Sequence, residues 1–222
     1  MRTLTIPASL LLAAFCLAGC EEALPPATTA SNVVPSPNPG EAMVTFLRPT
    51  SSCDAGEYVI VVDEHGRFVG NLAAGTQVSF PTHPGTHVFY AWSNVDLIVT
   101  RDPNFGAVAA TRVKAHAGED SYVFVASGRH STGGCQARFV FELVAAGSLP
   151  NAAEGRADAI ELVHETRPVT TDRVAGQIQI ESRPAHLHYF LELGARNLER
   201  QEAARAAIHR QRALWREEDS IE

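Results

Sequence analysis

The side chains that could bind a metal ion or act as a base are the nine histidines of this 222-residue chain. His186 and His188 lie two residues apart, a spacing that aligns two imidazoles on a strand but separates them on a helix. The surrounding sequence has a helical pattern, so we expect them to diverge. His83 and His87 flank a proline-glycine turn, yet no cysteine or carboxylate cluster completes a tetrahedral ligand set beside them. The sequence therefore predicts no metal site and no cofactor.

Motifs for phosphate binding or nucleophilic catalysis are incomplete. The chain contains neither a glycine-rich phosphate loop nor a dinucleotide fingerprint. The segment Arg129-His130-Ser131-Thr132-Gly133 is similar to a nucleophile elbow, but it lacks the first glycine and the strand-to-helix context. We therefore predict that the protein is not an enzyme. A hydrolase acting on envelope material is the weaker alternative, because it needs a cluster of titratable groups that spacing alone does not assemble.

Two aromatic residues, Tyr90 and Trp92, alternate onto one face of a predicted strand. Exposed rings at this spacing would stack on a sugar, whereas buried rings would belong to the core. Strand propensity and burial statistics favour the core. The pair is kept as candidate ligand-binding residues, because a carbohydrate- or small-ligand-binding protein is the main alternative function.

The amino-terminal segment has the pattern of a secretory signal. One basic residue, Arg2, precedes an apolar run, Leu10–Leu17, and small residues follow. The run is too short to cross a bilayer, which needs ~20 apolar residues. Ala18-Gly19-Cys20 resembles the lipobox of bacterial lipoproteins. That resemblance implies cleavage before Cys20 and acylation of Cys20, and the alternative is an ordinary signal peptide with a chance cysteine.

The predicted location follows from the leader and from the charge. Removal of residues 1–19 would leave a mature chain whose predicted partner is a membrane, which it contacts through the lipid on Cys20. In enteric bacteria an aspartate after the acylated cysteine retains lipoproteins in the inner membrane. Glu21 stands there instead, which favours the outer membrane, on its periplasmic or surface face. The net charge of −7 disfavours both nucleic acid and anionic lipid headgroups as partners. We expect a lipid-anchored protein of the bacterial cell envelope.

The remaining cysteines form an even pair. Cys16 leaves with the leader and Cys20 takes the lipid, so Cys53 and Cys135 remain in an oxidising compartment. Both lie in polar, loop-like sequence, which predicts one disulfide between them. Two free, buried thiols are the alternative.

Residues 20–42 are rich in proline, with threonine, serine, asparagine and glycine between. Such a segment cannot bury enough apolar surface to offset its ordering entropy. It is predicted to be a semi-extended tether that could span up to ~65 Å in a polyproline-like form.

Residues 43–146 have the pattern of a mainly β domain, in which short β-branched and aromatic runs are separated by turn residues. The short connections predict antiparallel pairing, since parallel pairing needs long crossovers. We predict an antiparallel β-sandwich of about eight strands. The predicted strands are Val44–Leu47, Tyr58–Val62, Arg67–Leu72, Gln77–Phe80, His87–Trp92, Val95–Thr100 (continuing or pairing beside the previous strand), Ala109–Lys114, Tyr122–Ala126 and Arg138–Val144.

A family resemblance rests on the order of several turn and strand motifs within this domain. These motifs are Phe46-Leu47-Arg48-Pro49, Val61-Val62-Asp63, Gly70-Asn71-Leu72, Gly75-Thr76 and Pro84-Gly85-Thr86-His87. Their order resembles a family of uncharacterised bacterial lipoprotein domains that is distantly similar to PEGA-type β-sandwich domains. The resemblance covers residues 44–127. It implies a fold and an envelope location, and it implies no catalytic residue.

Residues 147–222 have a helical pattern, with short helices expected at 157–165 and 172–181 and a long final helix from about 184 to 217. The second short helix is expected to be capped at Thr171-Asp172. The final helix has an apolar stripe formed by Leu187, Leu191, Gly194, Leu198, Ile208 and Trp215. Polar residues interrupt the stripe, which favours a solvated amphipathic helix over a coiled-coil arm. The alternative is an arm that binds an envelope protein partner. Taken together, we expect a non-catalytic binding or structural module on a lipid anchor.

Overall fold

The computed structural model describes residues 28–30, 36–50, 58–93, 108–128, 140–149 and 151–218. Within these ranges the chain forms two mostly antiparallel sheets and three helices. The strands are β1 (Thr28–Ala30), β2 (Ala42–Arg48), β3 (Val59–Asp63), β4 (Phe68–Leu72), β5 (Thr76–Thr82), β6 (Gly85–Ser93), β7 (Ala109–Ala115), β8 (Asp120–Gly128), β9 (Val140–Ala145) and β10 (Arg167–Thr171). The helices are α1 (Ala152–Glu165), α2 (Arg173–Glu181) and α3 (Pro184–Glu218), and a short 3-10 turn spans Ala146–Ser148.

The strands divide into a six-stranded sheet and a four-stranded sheet. The first has the order β1-β10-β5-β2-β8-β9, and the second has the order β4-β3-β6-β7. A shared core draws side chains from both sheets, among them Phe46, Phe80 and Phe89. The ring of Phe89 meets those of Phe46 and Phe80 edge-on, with centroids 5.0 and 6.2 Å away. Such edge-to-face pairs add a specific geometry to the apolar burial that holds the sheets together.

Helices cover the outer faces of both sheets. Helix α1 packs beside Leu47 through Ala159, on the outer face of the first sheet. Helices α2 and α3 cover the outer face of the second sheet, where Ile60 and Val62 lie. Strand β3 is therefore buried on both faces, as its uninterrupted apolar sequence predicts.

Short-range hydrogen bonds explain several element ends. The Asp63 carboxylate accepts from the backbone N–H groups of His65 and Arg67, both at 2.9 Å, and so closes the β3–β4 turn. The Asn151 and Asp172 side chains accept from the third residue beyond them and cap α1 and α2. The sequence predicts the Asp172 cap, but α1 begins five residues before the predicted Ala157.

The strand positions predicted from the sequence are largely confirmed, whereas the all-antiparallel prediction is wrong. Strand β2 pairs with β8 in parallel, and β10 pairs with β5 in parallel. Between β2 and β8 the chain builds the whole second sheet, so the long crossover that parallel pairing needs is present. Predicted strand Val95–Thr100 lies outside the described residues.

Two strands lie where none was predicted. Strand β10 falls inside the segment expected to be helical, and its Val169, Thr170 and Thr171 are β-favouring residues that the preceding proline obscured. Strand β1 falls inside the predicted tether and pairs antiparallel with β10, Thr28 opposite Thr171. Part of the tether is therefore fixed to the sheet, which shortens its reach.

Helix α3 begins at Pro184, as predicted, and its first half packs on the second sheet. Phe190 and Leu198 are buried there. Residues Ala203–Ala207 of the same helix are exposed. Among the described residues, no helix is both long enough and apolar enough to cross a membrane.

Candidate functional site

The two aromatic candidates lie in the interior, under helix α3. Trp92 is 1% exposed, and its ring stacks on Phe190 with centroids 4.9 Å apart and planes 24° apart. Tyr90 is 8% exposed in the same cluster. A ligand-binding role for these residues needs exposed rings, and the structure buries both. Tyr90 and Trp92 are therefore core residues in this structure.

The close approach of α3 to Tyr90 depends on Gly194. A Cβ atom at Gly194 would overlap the Tyr90 ring. Beyond this point the Asn197 side-chain N–H donates to the Val108 carbonyl at 2.9 Å. Farther along, Arg112 on β7 pairs with Glu202 at 3.0 Å. These contacts fix α3 to the sheet as far as Glu202.

A small crevice remains between α2, α3 and the second sheet. Its cavity volume is about 20 Å³, which is room for about one water molecule. The indole N–H of Trp92 is buried without a hydrogen-bond partner among the described residues. The lining residues are Ile60, Trp92, Gln179, Ile180, Arg183, His186, Leu187 and Phe190. A sugar ring does not fit in this volume, so the crevice offers at most a water site.

A carboxylate and an imidazole join the β3–β4 turn to the start of β6. His87 Nδ1 lies 3.1 Å from Glu64 Oε1, and the Val88 backbone N–H donates to Glu64 Oε2 at 3.2 Å. On its other side, His87 Nε2 lies 2.8 Å from the His83 carbonyl oxygen and 3.2 Å from Thr82 Oγ1. The Glu64 carboxylate and the His83 carbonyl oxygen both accept, so the ring nitrogen of His87 that carries a proton donates to the oxygen beside it. Both ring nitrogens of His87 are thus in contact with polar atoms of the fold, and the cluster holds two turns together.

This cluster gives the folded protein a pH-dependent contribution to stability. Burial by itself raises the pKa of Glu64, but hydrogen bonds from its own backbone, from His87 and from Val88 outweigh burial and hold the pKa below the ordinary 4.5. The carboxylate therefore stabilises the fold above pH 4.5, and this contribution is lost as the pH falls through the lowered folded-state pKa.

We expect Glu64→Gln to remove this dependence. Near pH 7 the variant should be less stable by about 1 kcal/mol, because hydrogen bonds to a charged group are lost. Below the folded-state pKa the two proteins should converge. Urea unfolding of both proteins from neutral to strongly acidic pH measures the difference. A constant difference across that range would show that Glu64 is not the responsible group.

The other predicted chemical residues do not come together. His186 and His188 are both exposed on α3, and His188 Nε2 pairs with Glu192 at 3.2 Å on the same helix. In the described part of the chain, no three histidine, cysteine or acidic side chains are grouped so that they could hold a metal ion. Cys20, Cys53 and Cys135 lie outside the described residues.

One surface feature was missed by the sequence analysis. Helix α2 exposes Val174 and Ile178, which are 72% and 64% accessible. Its opposite side is also apolar and packs inward through Gly176 and Ile180. The isoleucines at 178 and 180 and the valine at 174 were a signal that this helix is apolar on more than one side.

The comparisons with known proteins add little. Neither a protein-family model nor a curated protein sequence matches this chain. Among solved structures, an NMR structure of a protein from Eubacterium rectale matches with a TM-score of 0.28 and 13% identity, over 48% of this chain and 88% of that one. A similarity this weak carries no argument about fold or function.

Proposed function

We propose that this protein is a lipid-anchored module of the bacterial cell envelope that binds or supports a partner without catalysing a reaction. The observation that carries the proposal is the Ala18-Gly19-Cys20 sequence after a short apolar run and a single basic residue. The polar cluster of Glu64 and His87 supports a non-catalytic role, since its hydrogen bonds join two turns of the fold. We place the protein at the outer membrane because Glu21 follows the acylated cysteine.

For the body of the protein we infer a β-sandwich. The support is that one apolar cluster takes residues from both sheets, as face-to-face packing of two sheets requires. The similarity to PEGA-type domains remains a prediction, which is based on the order of the motifs in residues 44–127. The exposed helical turn Ala203–Ala207 supports the further proposal that the second half of α3 contacts an envelope protein partner.

Acylation is tested by changing Cys20. We expect Cys20→Ala to abolish incorporation of an alkyne-tagged fatty acid and to move the protein from the membrane fraction to the soluble fraction, by about tenfold or more, because several acyl chains give stable anchoring. The control is Cys16→Ala, four residues upstream in the leader, which should label and sediment like the natural chain. Equal labelling of both variants would overturn the proposal.

The proposed Cys53–Cys135 disulfide has its own test. The bridge would close a loop of about 80 residues, which chain-entropy models value at roughly 4–5 kcal/mol. We expect the unreduced mature protein to resist alkylation at both cysteines, and a reducing agent to lower its thermal midpoint. Two freely alkylated thiols in the folded, unreduced protein would contradict the bridge.

A further inference from the structure

The apolar surface of helix α2 faces solvent on a helix that already buries its other side. Val174 and Ile178 are one turn apart and therefore form a continuous patch. On the far side of the helix, Gly176 lies so close to Phe68 that a Cβ atom there would overlap the ring. Rotation of α2 cannot bury the two exposed side chains without breaking this contact. Only a partner outside the described part of the chain can therefore shield the exposed patch from water.

The tether enters the fold beside this helix. Thr28 pairs with Thr171, and the next residue, Asp172, is the cap of α2. Cys20 lies eight residues before Thr28, and covalent geometry limits that length of chain to roughly 29 Å. A membrane that holds Cys20 is thus kept within roughly 29 Å of Thr28, whose partner Thr171 lies two residues before the start of α2. The predicted ~65 Å reach of a free tether does not apply, because β1 fixes the tether to the sheet.

The charged side chains at this end of α2 are engaged within the fold. The Arg173 guanidinium lies over the Phe80 ring, 4.8 Å from its centroid, and burial, followed by the nearby charge of Arg67, lowers the pKa of Arg173. The Arg67 side chain is 59% exposed and forms an ion pair with the buried carboxylate of Asp63. Asp172 is engaged as the helix cap, and Glu181 bonds to Gln177 at the other end. The contact that this face can make with a bilayer is therefore the apolar one of Val174 and Ile178.

We propose that the α2 face carrying Val174 and Ile178 docks on the bilayer that holds the acyl chains of Cys20. This inference rests on the proposed acylation. The short tether keeps the effective concentration of lipid high at this face, so a small apolar contact suffices. The docked protein lies with the β1–β10 edge toward the membrane. Helix α1, with its exposed Ile160, covers the other sheet, so it lies on the opposite side of the two-sheet core from α2.

Site-specific photocrosslinking tests the orientation. A benzoylphenylalanine residue replaces Val174, Ile178 or, as the matched control, the exposed apolar Ile160 of α1. Each acylated protein is reconstituted in vesicles of about three parts phosphatidylethanolamine to one part phosphatidylglycerol and irradiated. We expect at least about fivefold more phospholipid adduct at 174 and 178 than at 160. Equal lipid adducts at all three sites overturn the proposal. So do adducts to a second copy of the chain at 174 and 178.

A second arm separates this proposal from the acylation on which it rests. Residues 21–222 carry a hexahistidine in place of the acylated cysteine and are held on vesicles that contain a nickel-chelating lipid. Enrichment of lipid adducts at 174 and 178 in this arm, without an acyl mass on Cys20 from cells, supports docking and refutes acylation. An acyl mass on Cys20 without that enrichment in either arm refutes docking and leaves acylation standing.

Discussion

Trp92→Ala is expected to lower the free energy of unfolding by about 3–5 kcal/mol, because it removes a fully buried indole and leaves a cavity. The indole is 1% exposed and stacks on Phe190 from α3. Its loss therefore weakens the second sheet and the attachment of α3 together. Urea unfolding followed by far-UV circular dichroism measures the change.

A control on the same helix separates burial from aromatic character. His186 is exposed, and its ring centroid lies 6.5 Å from that of Phe190. We expect His186→Ala to change stability by no more than about 0.5 kcal/mol. The contrary result would be a Trp92→Ala protein that keeps its stability and loses binding to a glycan. That outcome would restore the carbohydrate-binding alternative for Tyr90 and Trp92.

Gly194→Leu is expected to detach helix α3 from the sheet and to cost about 3 kcal/mol of stability through overpacking. A side chain at this position overlaps the Tyr90 ring and meets Val108 Cγ1 3.1 Å from its Cβ. Intrinsic propensity acts in the opposite direction, since leucine is a better helix former than glycine by nearly 1 kcal/mol. If Gly194→Leu lowers the free energy of unfolding, packing against Tyr90 dominates. If it raises that free energy, helix propensity dominates.

Trypsin provides the second measurement for this variant. Detachment would expose the backbone at Arg196 and Arg200, so cleavage there should accelerate in Gly194→Leu. Ala204→Leu is the matched control, because it places the same side chain on an exposed position of the same helix. We expect that control to unfold and to be cleaved like the natural chain. Stabilisation by Gly194→Leu would show that α3 does not pack tightly on Tyr90.

The apolar stripe of α3 shows what periodicity in the sequence predicted and what it did not. Periodicity placed Leu187, Leu191, Gly194 and Leu198 on one side of a helix, and the structure puts that side on the sheet. Periodicity could not reveal that Gly194 is required by the Tyr90 ring, because the ring lies about a hundred residues earlier in the chain. It also could not reveal that α3 covers Trp92.

The sequence alone determined the features that neighbouring residues encode. Alternation of side chains gave the strands, the Asp172 cap gave the start of α2, and the leader with Cys20 gave the predicted anchor. Tertiary structure alone decided which strands pair across long stretches of chain, including the parallel β2–β8 pair and the β1–β10 edge. It also decided which aromatic rings are covered and left Val174 and Ile178 exposed. The reason is that a local pattern fixes the faces of an element, whereas the partner of each face comes from distant parts of the chain.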